Sequence, residues 1–148
     1  MSIEHKLRSI LLIDDDEITN FINKDLLTEL DVAENITICE NGKEALDYLE
    51  QAYSLSHHPD YIPPELIFLD LNMPVIDGFE FLKIYQERFS PEQRCKAVIM
   101  LTTSLRDEDI KRALDLKLVI TDYIDKPLSE EKISNIIRQY FDFYFEKV

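Results

Sequence analysis

Ile67-Phe68-Leu69-Asp70-Leu71-Asn72-Met73-Pro74 decides how the rest of this chain is read. An apolar run from Leu66 to Leu69 leads straight into an acid, and Pro74 and Gly78 then stop the strand. The Asp70 carboxylate is therefore expected at the C-terminal end of a buried strand, where it is placed to react. The alternative is a turn-capping aspartate, since Asp is common just after strands and before Pro or Gly.

Outward from that stretch, β-rich runs that end in acids or hydroxyls alternate with amphipathic helical stretches. Ile10 to Ile13 forms a strand ending at Asp14-Asp15-Asp16. From Glu17 to Leu30, Ile18, Phe21, Ile22, Leu26 and Leu30 follow helical spacing, with Asp25 off the pattern. Asn35 to Glu40 alternates as a second strand, and Asn41-Gly42 turns into a helix carrying Ala45, Leu46 and Leu49. Tyr53 to Pro64 breaks periodicity and reads as a surface loop, with His57 and His58 exposed rather than ligands of a metal. After the opening strand, a helix over 78–89 buries Phe79, Leu82 and Tyr85. Ala97 to Leu101 is a fourth strand ending at Thr102-Thr103-Ser104, and Asp107 to Leu116 is a weaker, charged helix. A fifth strand over 119–124 ends at Asp125-Lys126-Pro127, and Ser129 caps a final helix. Five strands and five helices in strict alternation predict an α/β fold, a doubly wound five-stranded parallel sheet whose ligands sit at the strands' C-terminal edge.

The 148 residues, 45% hydrophobic, suit one domain, 1–148. Thirty acids against sixteen bases give a net charge of −14, which repels phosphate backbones and anionic membrane surfaces, so neither nucleic acid nor membrane is an expected partner. That excess suits a bound cation or a basic partner face, or it is simply a solvated acidic surface. Cys39 and Cys95 have no disulfide or zinc spacing, and no apolar run reaches the length of a membrane span. The expected setting is cytoplasmic.

Asp14, Asp15, Asp16, Asp70, Thr102 and Lys126 all fall on one sheet edge in this reading. Three or more carboxylates brought together either raise one another's pKa or take up a cation, and hard oxygen ligands at a shallow edge favour Mg²⁺. Lys126 offers a point charge to a phosphoryl oxygen and Thr102 a hydroxyl. Acid, metal, lysine and hydroxyl together describe phosphoryl transfer to a carboxylate. Each alone reads more readily as a solvated strand end, a turn hydroxyl or a surface lysine; their joint order is the signal.

Leu11 to Asp16, Leu69 to Pro74 with Asp77-Gly78, Met100-Leu101-Thr102, and Tyr123 to Pro127 resemble the receiver domain of two-component response regulators, over nearly the whole chain. The resemblance implies the flavodoxin-like strand order 2-1-3-4-5. It implies that Asp70 is the phosphoacceptor for a histidine kinase or histidine phosphotransfer protein. Asp15, Asp70 and the Asn72 backbone carbonyl would hold Mg²⁺, with Asp14 acting largely through water, and Asp16 would cap a helix. Lys126 would neutralise the phosphoryl group, with Lys126-Pro127 cis. Thr102 and Tyr123 would be the switch that reshapes the face made by the fourth helix, fifth strand and fifth helix. Asn72 and Ser104 stand where the family tunes the adduct's lifetime. Such a protein is not an enzyme in the turnover sense, but a phosphoacceptor with intrinsic self-phosphorylation and self-dephosphorylation chemistry.

No effector domain is read after the receiver, so output is expected through a downstream protein partner or onward phosphoryl transfer. In the last helix Ile133, Ile136, Ile137, Tyr140, Phe141 and Tyr144 form the inner stripe, while Phe143 and Phe145 fall off it. They read as a partner or homodimer surface, or as a frayed end folded back. The departures from the family pattern are the long Tyr53 to Pro64 loop and Asp115-Leu116-Lys117-Leu118, where a small Ala-Gly pair is common. A rival reading from another class is a haloacid dehalogenase-type phosphatase with Asp14 as nucleophile, since Asp14-x-Asp16 has that enzyme's spacing.

Overall fold

The computed structural model describes residues 6–54, 59–103 and 106–141. His57, His58, Ser104, Phe143, Tyr144 and Phe145 lie outside the described residues. The order is β1 (Leu7–Ile13), α1 (Glu17–Leu30), β2 (Ala33–Cys39), α2 (Gly42–Ala52), β3 (Leu66–Asp70), α3 (Gly78–Arg88), β4 (Ala97–Thr102), α4 (Asp107–Asp115), β5 (Asp122–Asp125) and α5 (Glu130–Tyr140). The strands pair in parallel in the order β2-β1-β3-β4-β5, as expected.

β3 is buried at every residue because the sheet is covered on both sides, which is why its sequence is a continuous apolar run rather than an alternating one. Alternate residues feed two separate cores. Leu11, Ile13, Ile67, Leu69, Val98 and Met100 pack with α2 and α3, whereas Ile10, Leu12, Phe68, Ile99 and Leu101 pack with Leu27 of α1 and Ile133, Ile136, Ile137 and Phe141 of α5. Side-chain oxygens of Asp16, Asn41, Asp77 and Ser129 accept backbone N–H groups in the first turns of α1, α2, α3 and α5 and fix where each helix begins.

Two expectations are corrected. The apolar stripe of α1 is not its buried face: Ile18, Phe21 and Ile22 are 70%, 72% and 54% exposed, while Asn20, Asn23 and Leu27 are buried. The first half of α1 lies along the polar sheet edge, where Asn20 Nδ2 donates to the Asp14 carbonyl at 2.8 Å, so its polar side faces in. Only beyond it do Leu26 and Leu30 reach the apolar core. The second correction concerns β5, which begins at Asp122 rather than 119. Lys117 takes a left-handed backbone (φ 53°), and the Gln86 side chain of α3 occupies the main chain here, donating to the Lys117 carbonyl and accepting from the Val119 N–H. Among the described residues no helix is long and apolar enough to cross a membrane.

Candidate functional site

Register brings the site together. Ile13 lies opposite Leu69, Asp70 opposite Leu101, and Thr102 opposite Asp125, so the C-terminal ends of β1, β3, β4 and β5 form one row. Asp14 leaves β1 buried at 4% exposure and Asp70 ends β3 at 6%; Asp15 is exposed. Asp14, Asp15 and Asp70 each offer a carboxylate oxygen within 4.8 Å of the others. Asp16 is turned away from them: it accepts from the Ile18 N–H at 3.1 Å and the Thr19 hydroxyl at 2.7 Å as the N-cap of α1. Those bonds, the Thr19 hydroxyl first, hold its carboxyl below the usual aspartate value.

Lys126 enters this group from the loop after β5, where its backbone N–H donates to the Thr102 carbonyl at 3.0 Å and its peptide bond to Pro127 is cis. Its ammonium lies 2.8 Å from Asp14 Oδ2 and 3.0 Å from Asp70 Oδ1. The other Asp14 oxygen accepts the Asp16 N–H at 2.9 Å, so both are engaged. Burial raises the Asp70 carboxyl above the ordinary aspartate value; Lys126 pulls it back, and the Asp14 and Asp15 charges push it up again. Burial alone would lower the Lys126 ammonium, but its bonds to Asp14 and Asp70 outweigh that and hold it above the ordinary lysine value. Lys126 therefore stays charged, and three acids face one cation.

Thr102 is buried at the end of β4. Tyr123 lies opposite Met100 on β5, half-buried against the core of α2 and α3, and burial with the Asp109 charge of α4 raises its phenol. Asn72 is exposed just beyond Asp70, and among the described residues its carbonyl accepts no hydrogen bond. In the same loop Val75 is 96% exposed at φ 68°, with the Ile76 N–H donating to the Pro74 carbonyl at 2.8 Å, a strained three-residue turn for a β-branched residue.

Two features were not singled out from the sequence. Asn20, anchored on the Asp14 carbonyl, has a buried Oδ1 without a hydrogen-bond partner. Arg112 of α4 reaches Asp77, the N-cap of α3, at 2.7 Å. Asn20 stands off the apolar stripe of α1 and Arg112 lies on a charged helix, so residue type and spacing marked neither.

An octahedral Mg²⁺ with oxygens about 2.1 Å away places opposite ligands about 4.2 Å apart. The carboxylate oxygens of Asp14, Asp15 and Asp70, within 4.8 Å of one another, are spaced on that scale. The donor set is all oxygen and anionic, which suits a hard divalent cation.

The family model "Response regulator receiver domain" matches residues 10–138. The chain is 30% identical over 135 residues to the "Probable methanogenesis regulatory protein FilR2" of Methanothrix harundinacea (strain 6Ac), covering 91% of this chain and 82% of that protein. It is 26% identical over 139 residues to the "Response regulator Rcp1" of Synechocystis sp., covering 94% and 90%. A crystal structure of a two-component response regulator from Cytophaga hutchinsonii superposes with a TM-score of 0.76 at 29% identity, covering 93% of this chain and 99% of that one. The phosphatase reading is not supported, for the matching family is another and Asp16 is engaged as a cap. With five parallel strands in the order 2-1-3-4-5 and this match along residues 10–138, the chain belongs to the response regulator receiver domains.

Proposed function

We propose that Asp70 accepts a phosphoryl group from a phosphohistidine on a kinase or phosphotransfer protein, and that this switches the face formed by α4, β5 and α5. Receiver domains are signalling switches that bind Mg²⁺ in an acidic pocket. The observation that carries the reading for this chain is the Lys126 ammonium, held between Asp14 at 2.8 Å and Asp70 at 3.0 Å beside a third carboxylate. When bound, Mg²⁺ would neutralise the acids and the incoming phosphoryl oxygens, held by Asp15, Asp70 and the Asn72 carbonyl with Asp14 behind them.

An Asp70 carboxylate oxygen attacks phosphorus in line. The O–P bond forms as the donor's P–N bond breaks, and the imidazole leaves with the electron pair and takes a proton from solvent. Lys126 holds the transferred group, and Thr102 turns its hydroxyl to a phosphoryl oxygen. Tyr123 follows inward, altering the surface around α4. Water later cleaves the acyl phosphate. The exposed Ile18, Phe21 and Ile22 begin two residues beyond the capping Asp16 and supply an apolar surface for the donor to cover.

Incubation with acetyl phosphate and Mg²⁺, read by intact mass, tests this. A transient phosphoryl adduct is expected in wild type and absent in Asp70→Asn. Full labelling of Asp70→Asn sinks the assignment, and multiple turnover of phosphate esters lost in Asp14→Asn would revive the phosphatase.

A further inference from the structure

α4 is held to the body by little apolar contact. Ala113 is its one buried residue among those described, and Ile110 and Leu114 are 40% and 71% exposed. Arg112 supplies a polar tie instead. Its Nη1 donates to Asp77 Oδ2 at 2.7 Å and its Nη2 to Asp77 Oδ1 at 3.5 Å; Nη2 also lies 3.6 Å from Glu80 Oε1. The guanidinium carbon stands 5.3 Å from the centre of the buried Phe79 ring. Arginine is suited to this because its flat fork meets a carboxylate with two bonds while its face covers an aromatic ring.

Asp77 is the far anchor of the loop that starts at Asp70. It caps α3 by accepting the Glu80 N–H at 2.8 Å. Next to it, Gly78 N–H donates to the Leu71 carbonyl at 2.9 Å, and a Cβ on Gly78 would lie 2.7 Å from the Asp70 carbonyl oxygen. The first turn of α3 is thus seated on the backbone of Asp70 itself. From Asp70 through Gly78 and Asp77 to Arg112, each link is a bond or a close contact.

We infer that Arg112 is a positioning residue that couples α4 to the phosphoacceptor loop through Asp77, by a route separate from Thr102 and Tyr123. The inference rests on the reading of Asp70 as phosphoacceptor. A two-pronged bond depends steeply on direction, so a small displacement of the loop when Asp70 is loaded weakens it and frees α4. By reciprocity, a partner that displaces α4 changes how readily Asp70 is loaded.

The test is amide hydrogen exchange of residues 107–116 in the intact protein, with and without beryllofluoride and Mg²⁺ as a phosphoryl mimic. In wild type the mimic is expected to change α4 exchange about fivefold, the low end of ordinary coupling. In Arg112→Ala exchange is fast in both states and the ratio falls towards one. Asp77→Asn, which keeps the cap but not the charge, behaves the same way, and Arg112→Lys restores part of the ratio. A merely structural role would speed exchange without changing the ratio. A wild-type α4 that ignores the mimic, or Arg112→Ala and Asp77→Asn that respond as wild type does, overturns the inference. The reading of Asp70 stands or falls separately, on acetyl phosphate labelling of Asp70→Asn.

Discussion

Both ends of the sheet bury a polar cluster, and the two are built on opposite terms. At the N-terminal end the Tyr53 and Tyr85 hydroxyls lie 3.0 Å apart, the Cys95 N–H donates to Tyr85 at 3.0 Å, and the Cys95 thiol donates to the Ala97 carbonyl at 3.3 Å. Aromatic rings close around them, with Tyr53 edge-on to Phe89 at 5.0 Å. Burial raises both phenols well above their ordinary value and the Cys95 thiol to about 11, so every member is neutral and bonded. At the C-terminal end three carboxylates face one ammonium, and charge balance is left incomplete. A neutral, satisfied cluster holds the fold; an acidic, unbalanced one is suited to chemistry rather than to holding the fold together.

The largest effect that would break this contrast is expected at the neutral end. Tyr85→Phe removes the acceptor of the Cys95 N–H and a bond to Tyr53, and is expected to cost about 1–3 kcal/mol of stability by urea unfolding. An unchanged midpoint would show that this network is ornamental. Asp70→Asn is expected to act in the opposite direction, raising the melting temperature of the metal-free protein by about 2–4 °C, the shift given by ~1 kcal/mol in a domain of this size. The sign follows from linkage: a carboxyl raised in the folded state binds more protons than in the unfolded chain, so its contribution to stability is lost as pH rises through the folded value. The gain should therefore be seen at neutral pH and vanish in acid. Mg²⁺ should raise the melting temperature of wild type much more than that of Asp70→Asn. A destabilised Asp70→Asn at neutral pH would mean that the Lys126 pair outweighs the crowding. The smallest effect concerns reactivity: Cys95, raised to about 11, and the buried Cys39, raised to about 12, should both resist iodoacetamide at pH 8 in the native protein and react on unfolding.

Strand ends were the legible part of this molecule. β3 and β4 are buried on both faces, so their apolar runs stand out, and the acid or hydroxyl that ends each run marks the sheet edge. The side-chain caps were legible too, since Asp16 and Ser129 precede periodic helices. Less was visible where tertiary context overrides periodicity. The α1 stripe follows helical spacing yet faces solvent, because the sheet edge it crosses is polar. β5 is shortened by a glutamine from another helix, a contact 33 residues away in sequence. The strain at Val75 and the Arg112–Asp77 pair belong to backbone angles and distances that residue types alone do not specify.

The chain has two glycines, and they will age differently under mutation. A methyl group on Gly42 would meet Ile76, its Cγ2 at 3.1 Å and its Cβ at 3.2 Å, so Ile76 would have to give by a few tenths of an ångström. On Gly78 it would meet backbone, the Asp70 carbonyl oxygen at 2.7 Å and Leu71 Cα at 3.0 Å, which cannot yield without moving the strand end. Neither glycine needs a left-handed backbone, so room and not conformation is what each position guards. Gly78 is the more tightly held of the two, and any chain that lost it would have to rebuild the ground under Asp70.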